Sequence, residues 1–347
     1  MKSKKNPKST IYDVAARAGV SISTVSRTLN NRSNLTDLTR QKVLKAIADL
    51  DFKTDPFARG LVGKQFNLIE VCFSWSSIKI NLENEWYLGL LNGINDVVQE
   101  KQYGLLINTI SGVFDLQEVE KRVSRNTVDG VLMVSPYLKE EEVNQLKDFR
   151  VPLVLIGCRA NDPSVDFVDC DNAKAVVEVV DHLVKKGHQK IACITGEVKI
   201  SADAADRLRE FKQAMERHGL SVPDPYIVGG DFSKGSGAKA MNKLLALKDR
   251  PTAVFASNDL MALGAWDSIV EKGMKVGKDI ALVGFDDIPQ ASVPPYSLTT
   301  NKQDYRETST QAARLLIEKI ENPTGWKTRQ ILVPTQLVVR RSSRVKY

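Results

Sequence analysis

The feature that most constrains the fold of this chain is the stretch 10–30, which has the pattern of two short helices separated by a glycine. Thr10 can cap the first helix, and Asp13 stands three residues later in the second position of a capping box. Gly19 is suited to end that helix, because glycine adopts a left-handed backbone at little cost. Ser21 can then cap the second helix. The stretch therefore predicts a helix-turn-helix unit.

The second predicted helix has two different faces. Val25 and Leu29 form its apolar stripe. The opposite face carries side chains that are small or able to hydrogen-bond: Ile22, Ser23, Thr24, Ser26 and Arg27. A face of this kind can enter the major groove of DNA and reach base edges and phosphates. An ordinary helical hairpin in a larger core has the same spacing, so the neighbouring residues must decide between the two.

The residues that follow complete a small helical domain. Residues 31–35 have the composition of a polar loop, and Thr36 can cap a third helix that ends near Asp49. The apolar stripe predicted for this helix consists of Val43, Leu44, Ile47 and Leu50. Residues 56–61 then read as a short helical linker whose first residue is proline, which suits a first helical position.

Positive charge is concentrated in this part of the chain. Residues 1–65 hold thirteen lysines and arginines against five aspartates and no glutamate, whereas the remainder has a net charge of −1. A basic head on a neutral body indicates a polyanionic partner for the head alone. A merely soluble basic tail would have the same charge, but here the charge coincides with the helix-turn-helix pattern.

From residue 67 onward, strand-like runs alternate with amphipathic helices, which is the pattern of a parallel α/β sheet. The chain has 347 residues, enough for two or three domains. The strands fall into two similar sets, at about 68–73, 105–109, 130–134 and 153–157, and at about 190–195, 226–229, 253–256 and 280–284. Two α/β halves in tandem suit a hinged ligand binder, with the ligand at the carboxyl ends of the strands.

Other function classes lack support in the sequence. The four cysteines show no CxxC spacing, and the three histidines stand in no catalytic or metal-binding pattern. We therefore expect no catalytic residue, no metal and no cofactor. Since no run approaches about 18 apolar residues and the start has no apolar signal region, we expect a cytoplasmic protein with no membrane partner.

The order of residues in the head resembles the lactose/galactose repressor (LacI/GalR) family of bacterial transcription regulators. The matching motifs are Tyr12-Asp13-Val14-Ala15, Ala18-Gly19-Val20-Ser21, Thr24-Val25-Ser26-Arg27, Leu29-Asn30 and Ala58-Arg59-Gly60-Leu61. Further matches follow along the body, among them Asp171-Asn172, Gly187-His188, Ser257-Asn258-Asp259, Val283-Gly284-Phe285-Asp286-Asp287 and Leu298-Thr299-Thr300. The resemblance thus extends over both parts of the chain.

The resemblance implies an all-α helix-turn-helix head joined by a hinge helix to an α/β two-lobed periplasmic-binding-protein-like (type I) body. We expect residues 1–54 to form the DNA-binding domain, 55–65 the hinge helix and linker, and 66–347 the effector-binding and dimerisation domain. The chain of such a body crosses between its lobes three times. Lobe one is therefore expected at about 66–166 and 302–329, and lobe two at about 167–301 and 330–341, with one strand over 330–339.

The predicted partner of the head is double-stranded operator DNA of pseudo-palindromic sequence, bound by a homodimer. The expected contacts are Tyr12, Ser21, Ile22, Ser23, Thr24, Ser26, Arg27, Asn30, Asn34, Ala58 and Leu61. Of these, Ile22, Ser23 and Arg27 are expected to face the major groove. By resemblance, Leu61 is a wedge that partly unstacks a central base step, and Ala58 lets two hinge helices approach closely.

By resemblance, the cleft residues that contact an effector are Trp86, Tyr87, Arg207, Phe232, Asn258, Asp286 and Gln303. Arg207 is expected to open a helix. Asp286 could instead cap the next loop, and Phe232 or Tyr87 could be plain core residues. The segments 74–85 and 157–159 depart from the family pattern, which leaves the ligand open. We expect a sugar or sugar derivative rather than a purine, because residues 199–201 lack the second arginine of purine-sensing relatives.

The sequence as a whole predicts a sequence-specific DNA-binding transcription regulator, and within that class a repressor, whose operator affinity is controlled by the effector. The alternative is a periplasmic-type solute-binding protein without a regulatory role. That class has the same body fold, but the basic helical head argues against it. An enzyme of the α/β class is the third possibility, and neither a nucleophile elbow nor a phosphate-binding glycine loop supports it.

Overall fold

A computed structural model of the protein divides the chain into two units, Met1–Phe66 and Asn67–Tyr347. The structure describes residues 9–29, 35–52, 66–74, 85–110, 116–123, 128–134, 138, 140–149, 151–160 and 162–343. The predicted DNA contacts Asn30, Asn34, Ala58 and Leu61 lie outside these ranges.

The first unit contains three helices, Ile11–Ala18, Ile22–Leu29 and Asp37–Asp49. Their shared core consists of Val14, Ala15, Val25, Val43 and Ala46. The apolar stripe predicted for the third helix is wrong at one position, since Leu44 is 52% exposed. Ala46 is buried in its place, because Val43, Ala46 and Ile47 lie on one helical face and Leu44 lies well to the side of it.

The ends of the first helix are fixed by the residues that the sequence singled out. The Thr10 amide donates to a carboxylate oxygen of Asp13 at 2.7 Å, and the Asp13 amide donates to the Thr10 hydroxyl at 3.3 Å, which completes the capping box. Gly19 ends the helix in the left-handed conformation with φ +66°. These local contacts set the angle at which the second helix leaves the first.

The second unit has two six-stranded sheets flanked by helices. The strands are β1 (Leu68–Ser74), β2 (Gly104–Ile110), β3 (Gly130–Val134), β4 (Leu153–Ile156), β5 (Phe167–Cys170), β6 (Ile191–Thr195), β7 (Ile227–Gly229), β8 (Ala253–Ala256), β9 (Ala281–Asp286), β10 (Thr299–Lys302), β11 (Gln330–Val333) and β12 (Gln336–Val338). The first sheet has the order β11-β5-β4-β3-β1-β2 and the second β12-β10-β9-β8-β6-β7. The described pairings are parallel except for β10 with β12, which are antiparallel.

Helices cover both faces of each sheet. The helices of the first lobe are Glu85–Glu100, Leu116–Val123, Glu140–Gln145 and Tyr305–Glu321, and those of the second are Asn172–Lys185, Ala202–Arg217, Lys234–Leu245, Asp259–Glu271 and Pro289–Ser292. Short 3₁₀ turns lie at Leu146–Asp148, Asp224–Tyr226 and Arg341–Ser343. Each lobe has one apolar cluster on either face of its sheet, so each lobe is a three-layer α/β unit.

The chain passes between the lobes three times, after β5, after β10 and after β11. The strand predicted over 330–339 is in fact two strands, because β11 pairs with β5 in the first sheet and β12 pairs with β10 in the second. Pro334 separates them, since proline has no amide to donate to a ladder. The expected lobe boundaries near 167 and 330 therefore need correction, as 167–170 and 330–333 belong to the first lobe.

Within the described ranges, no helix is both long enough and apolar enough to cross a membrane.

Candidate nucleic-acid interface and effector cleft

The second helix of the head buries one side and leaves the predicted reading side accessible. Val25 and Thr28 are buried, whereas Ile22 is 42% exposed. Ser21, Ser23 and Arg27 are exposed, and Thr24 and Ser26 are half-buried. The structure therefore places this set of predicted contacts on one surface, where the apolar side chain of Ile22, the hydroxyl of Ser23 and the guanidinium of Arg27 are accessible to base edges.

Hydroxyl groups cluster at the start of this helix. The Ser21 hydroxyl accepts a hydrogen bond from the Thr24 amide at 3.2 Å. It also lies 2.7 Å from the Ser23 hydroxyl and 2.9 Å from the Thr24 hydroxyl. Because the amides at a helix start carry partial positive charge, this end of the helix is suited to a phosphate oxygen.

Tyr12 on the first helix is 68% exposed, so its ring is available to a partner. On the same helix, Arg17 forms an ion pair of 3.2 Å with Asp49 of the third helix. Both partners are substantially exposed, so this ion pair adds little to the stability of the head.

In the body, the carboxyl ends of β6, β8 and β9 bring together residues that are far apart in sequence. The strand order changes direction between β6 and β8, and ligands of open α/β sheets bind at such a switch point. Arg207, Asn258 and Asp286 lie at this edge of the second sheet, and Gln303 lies at the second crossing between the lobes. Four of the predicted effector contacts thus converge on one cleft.

Arg207 is 4% exposed, and the protein surrounds its guanidinium. Its Nε donates to the side-chain oxygen of Asn172 at 2.8 Å, and its Nη1 donates to the Ser257 carbonyl at 2.7 Å. The guanidinium carbon lies 3.8 Å from the centre of the Phe285 ring. Burial alone would lower the pKa of Arg207, but the nearby Asp203 and Asp286 carboxylates raise it above its usual value, so the side chain stays charged.

The prediction that Arg207 opens a helix is wrong. The helix begins at Ala202, because the Ser201 hydroxyl caps it by accepting from the Ala204 amide at 3.2 Å. Arg207 therefore projects from the interior of a helix rather than from its first turn.

Asp286 ends β9 and faces the crossing between the lobes. Its carboxylate accepts from the Gln303 side-chain amide at 2.8 Å. Burial raises the pKa of Asp286 to about 6, and Arg207 only partly opposes that shift. Asp286 and Asp287 have φ values of +128° and +62°. Strained backbone of this kind persists only where the surroundings impose it, and it clusters at functional sites.

Phe232 and Asn258 are joined by a hydrogen bond. The Asn258 side-chain amide donates to the Phe232 carbonyl at 3.0 Å, and the Asn258 side-chain oxygen accepts from the Met261 amide at 2.9 Å. Phe232 has φ +65°, and a Cβ added to Gly196 would overlap its ring. Asn258 and Gly196 thus hold the Phe232 ring over the end of β6, where it can serve as the apolar wall of the cleft.

The two aromatic residues predicted at the mouth of the first lobe differ in their surroundings. Trp86 is half-buried and packs edge-on against Tyr305, with ring centres 6.4 Å apart. Tyr87 is 1% exposed and packs edge-on against Phe73 at 5.4 Å. Tyr87 therefore lies in the core of the first lobe rather than at its mouth, because it shares the buried face of its helix with Leu90 and Ile94.

A polar network that was not predicted from the sequence lies beside Arg207. Asn172 is 1% exposed, and its side-chain amide donates to Asp203 at 2.8 Å and to Asp169 at 3.4 Å. Asp169 also accepts from the Arg159 Nε at 3.2 Å. Burial, with a smaller effect from Asp203, raises the pKa of Asp169 to about 7. Two signals in the sequence pointed toward it, the carboxylate inside the apolar run of β5 and the matching Asp171-Asn172 motif.

Two family models match the chain. The model described as "Bacterial regulatory proteins, lacI family" matches residues 10–55, which span the helix-turn-helix and the third helix. The model described as "Periplasmic binding protein-like domain" matches residues 180–343, which include Arg207, Asn258 and Asp286.

Relatives match nearly the whole length of the chain. Catabolite control protein A of Priestia megaterium is 32% identical over 319 residues, which are 91% of this chain and 93% of that protein. The ribose operon repressor of Escherichia coli (strain K12) is 33% identical over 333 residues, 94% of this chain and 97% of that protein. Among solved structures, the Lac repressor dimer bound to operator and the anti-inducer ONPF matches with a TM-score of 0.83 and 29% identity, over 97% of this chain and 99% of that one.

These relatives are regulators and repressors rather than enzymes. The predicted fold class and the predicted function class, a DNA-binding transcription regulator, are both confirmed by them. This chain belongs to the LacI family of bacterial regulatory proteins.

Proposed function

We propose that this regulator is a repressor whose affinity for a pseudo-palindromic operator is set by a sugar-like effector bound between the two lobes of its body. The observation that carries the proposal is the convergence of Arg207, Asn258, Asp286 and Gln303 at the carboxyl edge of the second sheet, on the same chain as an exposed helix-turn-helix surface. One chain thus has both a surface suited to DNA and a cleft suited to a small polar ligand.

The head supplies the DNA contacts in this proposal. Ile22, Ser23 and Arg27 read the major groove, while Ser21 and the start of the second helix hold a phosphate. Residues 1–54 form the DNA-binding domain and 55–65 the hinge. Within the hinge, Leu61 acts as a wedge in the minor groove. The small side chain of Ala58 allows the hinge helix of the second subunit to approach closely.

The body supplies the effector contacts. LacI-family repressors bind operator DNA and small-molecule effectors, and one relative is named for the ribose operon. Arg207 and Asp286 would orient the hydroxyl groups of a sugar, and Phe232 would pack on its apolar face. Trp86 would cover the ligand from the first lobe. Closure of the lobes would then change the spacing of the two hinges in a dimer and so the operator affinity.

A homodimer is part of the proposal. A head of about fifty residues makes too few phosphate contacts for tight and selective binding, so two heads on two half-sites are needed. The Lac repressor structure with TM-score 0.83 is described as a dimer on its operator. Exposed apolar side chains, such as Ile107 in the first lobe and Val270 in the second, are suited to burial against a second copy.

Two measurements on the full chain test the proposal. A salt-dependent gel shift should show binding to a selected operator fragment that is at least a thousandfold tighter than binding to random DNA. A thermal-shift screen should show that one or more sugars stabilise the body, by about 2.7 kcal/mol at a hundredfold excess over the dissociation constant. Equal binding to operator and random DNA would refute the DNA-reading role.

A further inference from the structure

We propose that the first lobe has a second small-molecule site, separate from the cleft between the lobes, and that this site takes an uncharged flat ring with one hydrogen-bond acceptor. The site is a cavity of about 220 Å³ at the edge of the first sheet where β4 and β5 begin. This inference goes beyond the proposed function, since it depends neither on the effector in the cleft nor on the operator.

The cavity and the cleft lie at opposite ends of the first lobe. The lining of the cavity includes Val151 and Pro152, which directly precede β4, and Asp166, which directly precedes β5. These are the amino ends of parallel strands, whereas the cleft lies at the carboxyl ends. The helix Tyr305–Glu321 starts beside the cleft and carries Lys319 in the cavity lining, about 21 Å further along the helix axis. A small ligand in this cavity is therefore out of reach of the cleft residues.

Most residues that line the cavity are apolar. They are Leu146, Phe149, Val151, Val165 and Trp326, together with Leu153 and two prolines. An apolar cavity of roughly 150 Å³ is large enough to stay dry and to bind benzene. The cavity in the first lobe therefore has room for one ring with a short substituent.

One wall of the cavity is an aromatic ring that is held in a fixed orientation. The Trp326 Nε1 donates to an Asp166 oxygen at 3.0 Å, and the guanidinium carbon of Arg329 lies 4.7 Å from the centre of the Trp326 ring. Arg329 is not among the residues that line the cavity, so it leaves the cavity side of the ring uncovered. Because aromatic rings pack on one another edge-to-face or offset-stacked, this wall favours a flat ring as the ligand.

The polar end of the cavity offers one hydrogen-bond donor. The Asp166 side chain is fully buried, and its carboxylate accepts from the Lys319 Nζ at 2.6 Å and from the Arg329 amide at 2.7 Å, in addition to Trp326. Lys319 also donates to the Leu153 carbonyl at 3.2 Å. Since an ammonium group has three N–H groups and the Lys319 side chain is 23% exposed, the third N–H can donate to a ligand. An amide oxygen on the ring would accept it.

The same ion pair decides the charge of the ligand. Asp166 already neutralises Lys319, and three donors satisfy its carboxylate. An anionic ligand at Lys319 would lie beside the buried Asp166 carboxylate, and a cationic ligand would lie beside the Lys319 ammonium. Because a buried charge without its own partner is costly, an uncharged ligand fits best.

The test uses benzamide, which has a ring and an amide oxygen, and two matched probes: benzoate, which is anionic, and toluene, which lacks the acceptor. The readout is fluorine NMR of the full chain with fluorotryptophan at its four tryptophans. Trp326→Phe assigns the signal of the cavity, and Trp86→Phe assigns a signal beside Tyr305 at the other end of the helix. Benzamide should shift the Trp326 signal and leave the Trp86 signal in place. Its dissociation constant should be on the order of 1–10 mM, as for a ligand of about nine non-hydrogen atoms.

The matched probes test the ligand class. Benzoate and toluene should each bind about fivefold more weakly than benzamide, because one brings an unbalanced charge and the other lacks the hydrogen bond. A Trp326 signal that benzamide does not move, or either matched probe binding as tightly as benzamide, overturns the inference. A shift of the Trp86 signal alone would mean that benzamide enters the cleft, so that this inference is wrong while the proposed regulatory function is unaffected.

Two variants tie the binding to the cavity. Val151→Phe places a ring in the space of the ligand, so benzamide should bind about tenfold more weakly. The matched control is Val270→Phe, at a 53% exposed position in the second lobe, which should leave binding unchanged. Lys319→Met keeps the length of the side chain but removes the donor, so the affinity for benzamide should fall to that for toluene. The melting temperature of each variant shows whether it is folded. Equal effects of Val151→Phe and Val270→Phe, or wild-type affinity of Lys319→Met for benzamide, overturn the inference.

Discussion

At the scale of single residues, the surroundings of a side chain decide what it can do. Arg27 and Arg207 are both arginines on helices, but Arg27 is exposed and Arg207 is 4% exposed with a ring against its guanidinium. An exposed guanidinium can reach a guanine edge, whereas a buried one serves as a fixed charge in a cleft. The two arginines therefore call for different tests.

Replacing Arg27 with alanine should weaken operator binding by about 1–3 kcal/mol and relax the preference at one base pair, because the proposed contact of its guanidinium with a base edge would be lost. Fluorescence anisotropy with the operator and with variants at each position measures both effects. Arg17→Ala is the matched control, since Arg17 carries the same charge but is paired with Asp49. Arg17→Ala should weaken DNA binding less than Arg27→Ala does, and it should weaken binding to every DNA sequence by the same factor. An Arg27→Ala loss that is equal on operator and random DNA would contradict the assignment.

The buried carboxylate of Asp169 should make stability depend on pH. Burial raises its pKa from 3.8 to about 7 in the folded chain. Between those values the folded chain holds a proton that the unfolded chain has lost, so the contribution of Asp169 to stability falls as the pH rises through about 7. Asp169→Asn removes that proton site. Its melting temperature relative to wild type should therefore rise, on the order of 2 °C, between about pH 5 and about pH 8.

Scanning calorimetry or dye-based melting at several pH values measures this difference. Asp224→Asn, at an exposed position on the surface of the second lobe, is the control, and its difference from wild type should stay constant. A pH-independent difference for Asp169→Asn would show that the carboxyl group does not change its protonation in this range.

At the scale of helices and strands, an element could be predicted when the residues that determine it lie within its own sequence. The first helix was predictable to the residue, because a capping box and a left-handed glycine lie within its own sequence. The division of 330–339 into β11 and β12 could not be predicted in this way, because it depends on pairing with β5 and β10, which lie far away in the chain. Asp169 also interrupts the apolar run of β5, and for this reason that strand was not predicted from the sequence.

A close helix crossing in the second lobe gives a stability prediction. The helices Lys234–Leu245 and Asp259–Glu271 meet at Gly237 and Gly264, and a Cβ at Gly264 would overlap the Lys234 carbonyl oxygen. Gly264→Ala should therefore push the helices apart and destabilise the body by about 1–3 kcal/mol or more. Urea unfolding followed by circular dichroism measures the change.

Gly235, on the first of these helices, provides the matched control. Nothing lies within 4 Å of a Cβ built at Gly235. Gly235→Ala should leave stability unchanged or raise it by up to about 1 kcal/mol, since alanine favours the helix. If Gly264→Ala were as harmless as Gly235→Ala, the close crossing would be an incorrect description of this lobe.

At the scale of the whole molecule, a three-helix head and a two-lobed body could be predicted because helical and strand periodicity change abruptly near residue 67. The members of the cleft could be predicted only in part. Arg207, Asn258 and Asp286 were expected from the family resemblance. Asn172 lies in the matching Asp171-Asn172 motif, but its place beside Arg207 and Asp203 depends on contacts between residues more than thirty positions apart. Such contacts leave no periodic signal in the sequence.

In the proposed function, the cleft of the body controls the DNA affinity of the head. The decisive measurement is the fluorescence anisotropy of a labelled operator, obtained by in vitro selection with the full chain, which is titrated with protein in the presence and in the absence of a saturating sugar that stabilises the body. The wild type should change its operator affinity by about 5–150-fold, which corresponds to a coupling free energy of about 1–3 kcal/mol. Asp286→Ala, which removes a cleft contact, should bind the operator normally but lose that change. An operator affinity that is the same with and without the bound sugar would contradict the claim.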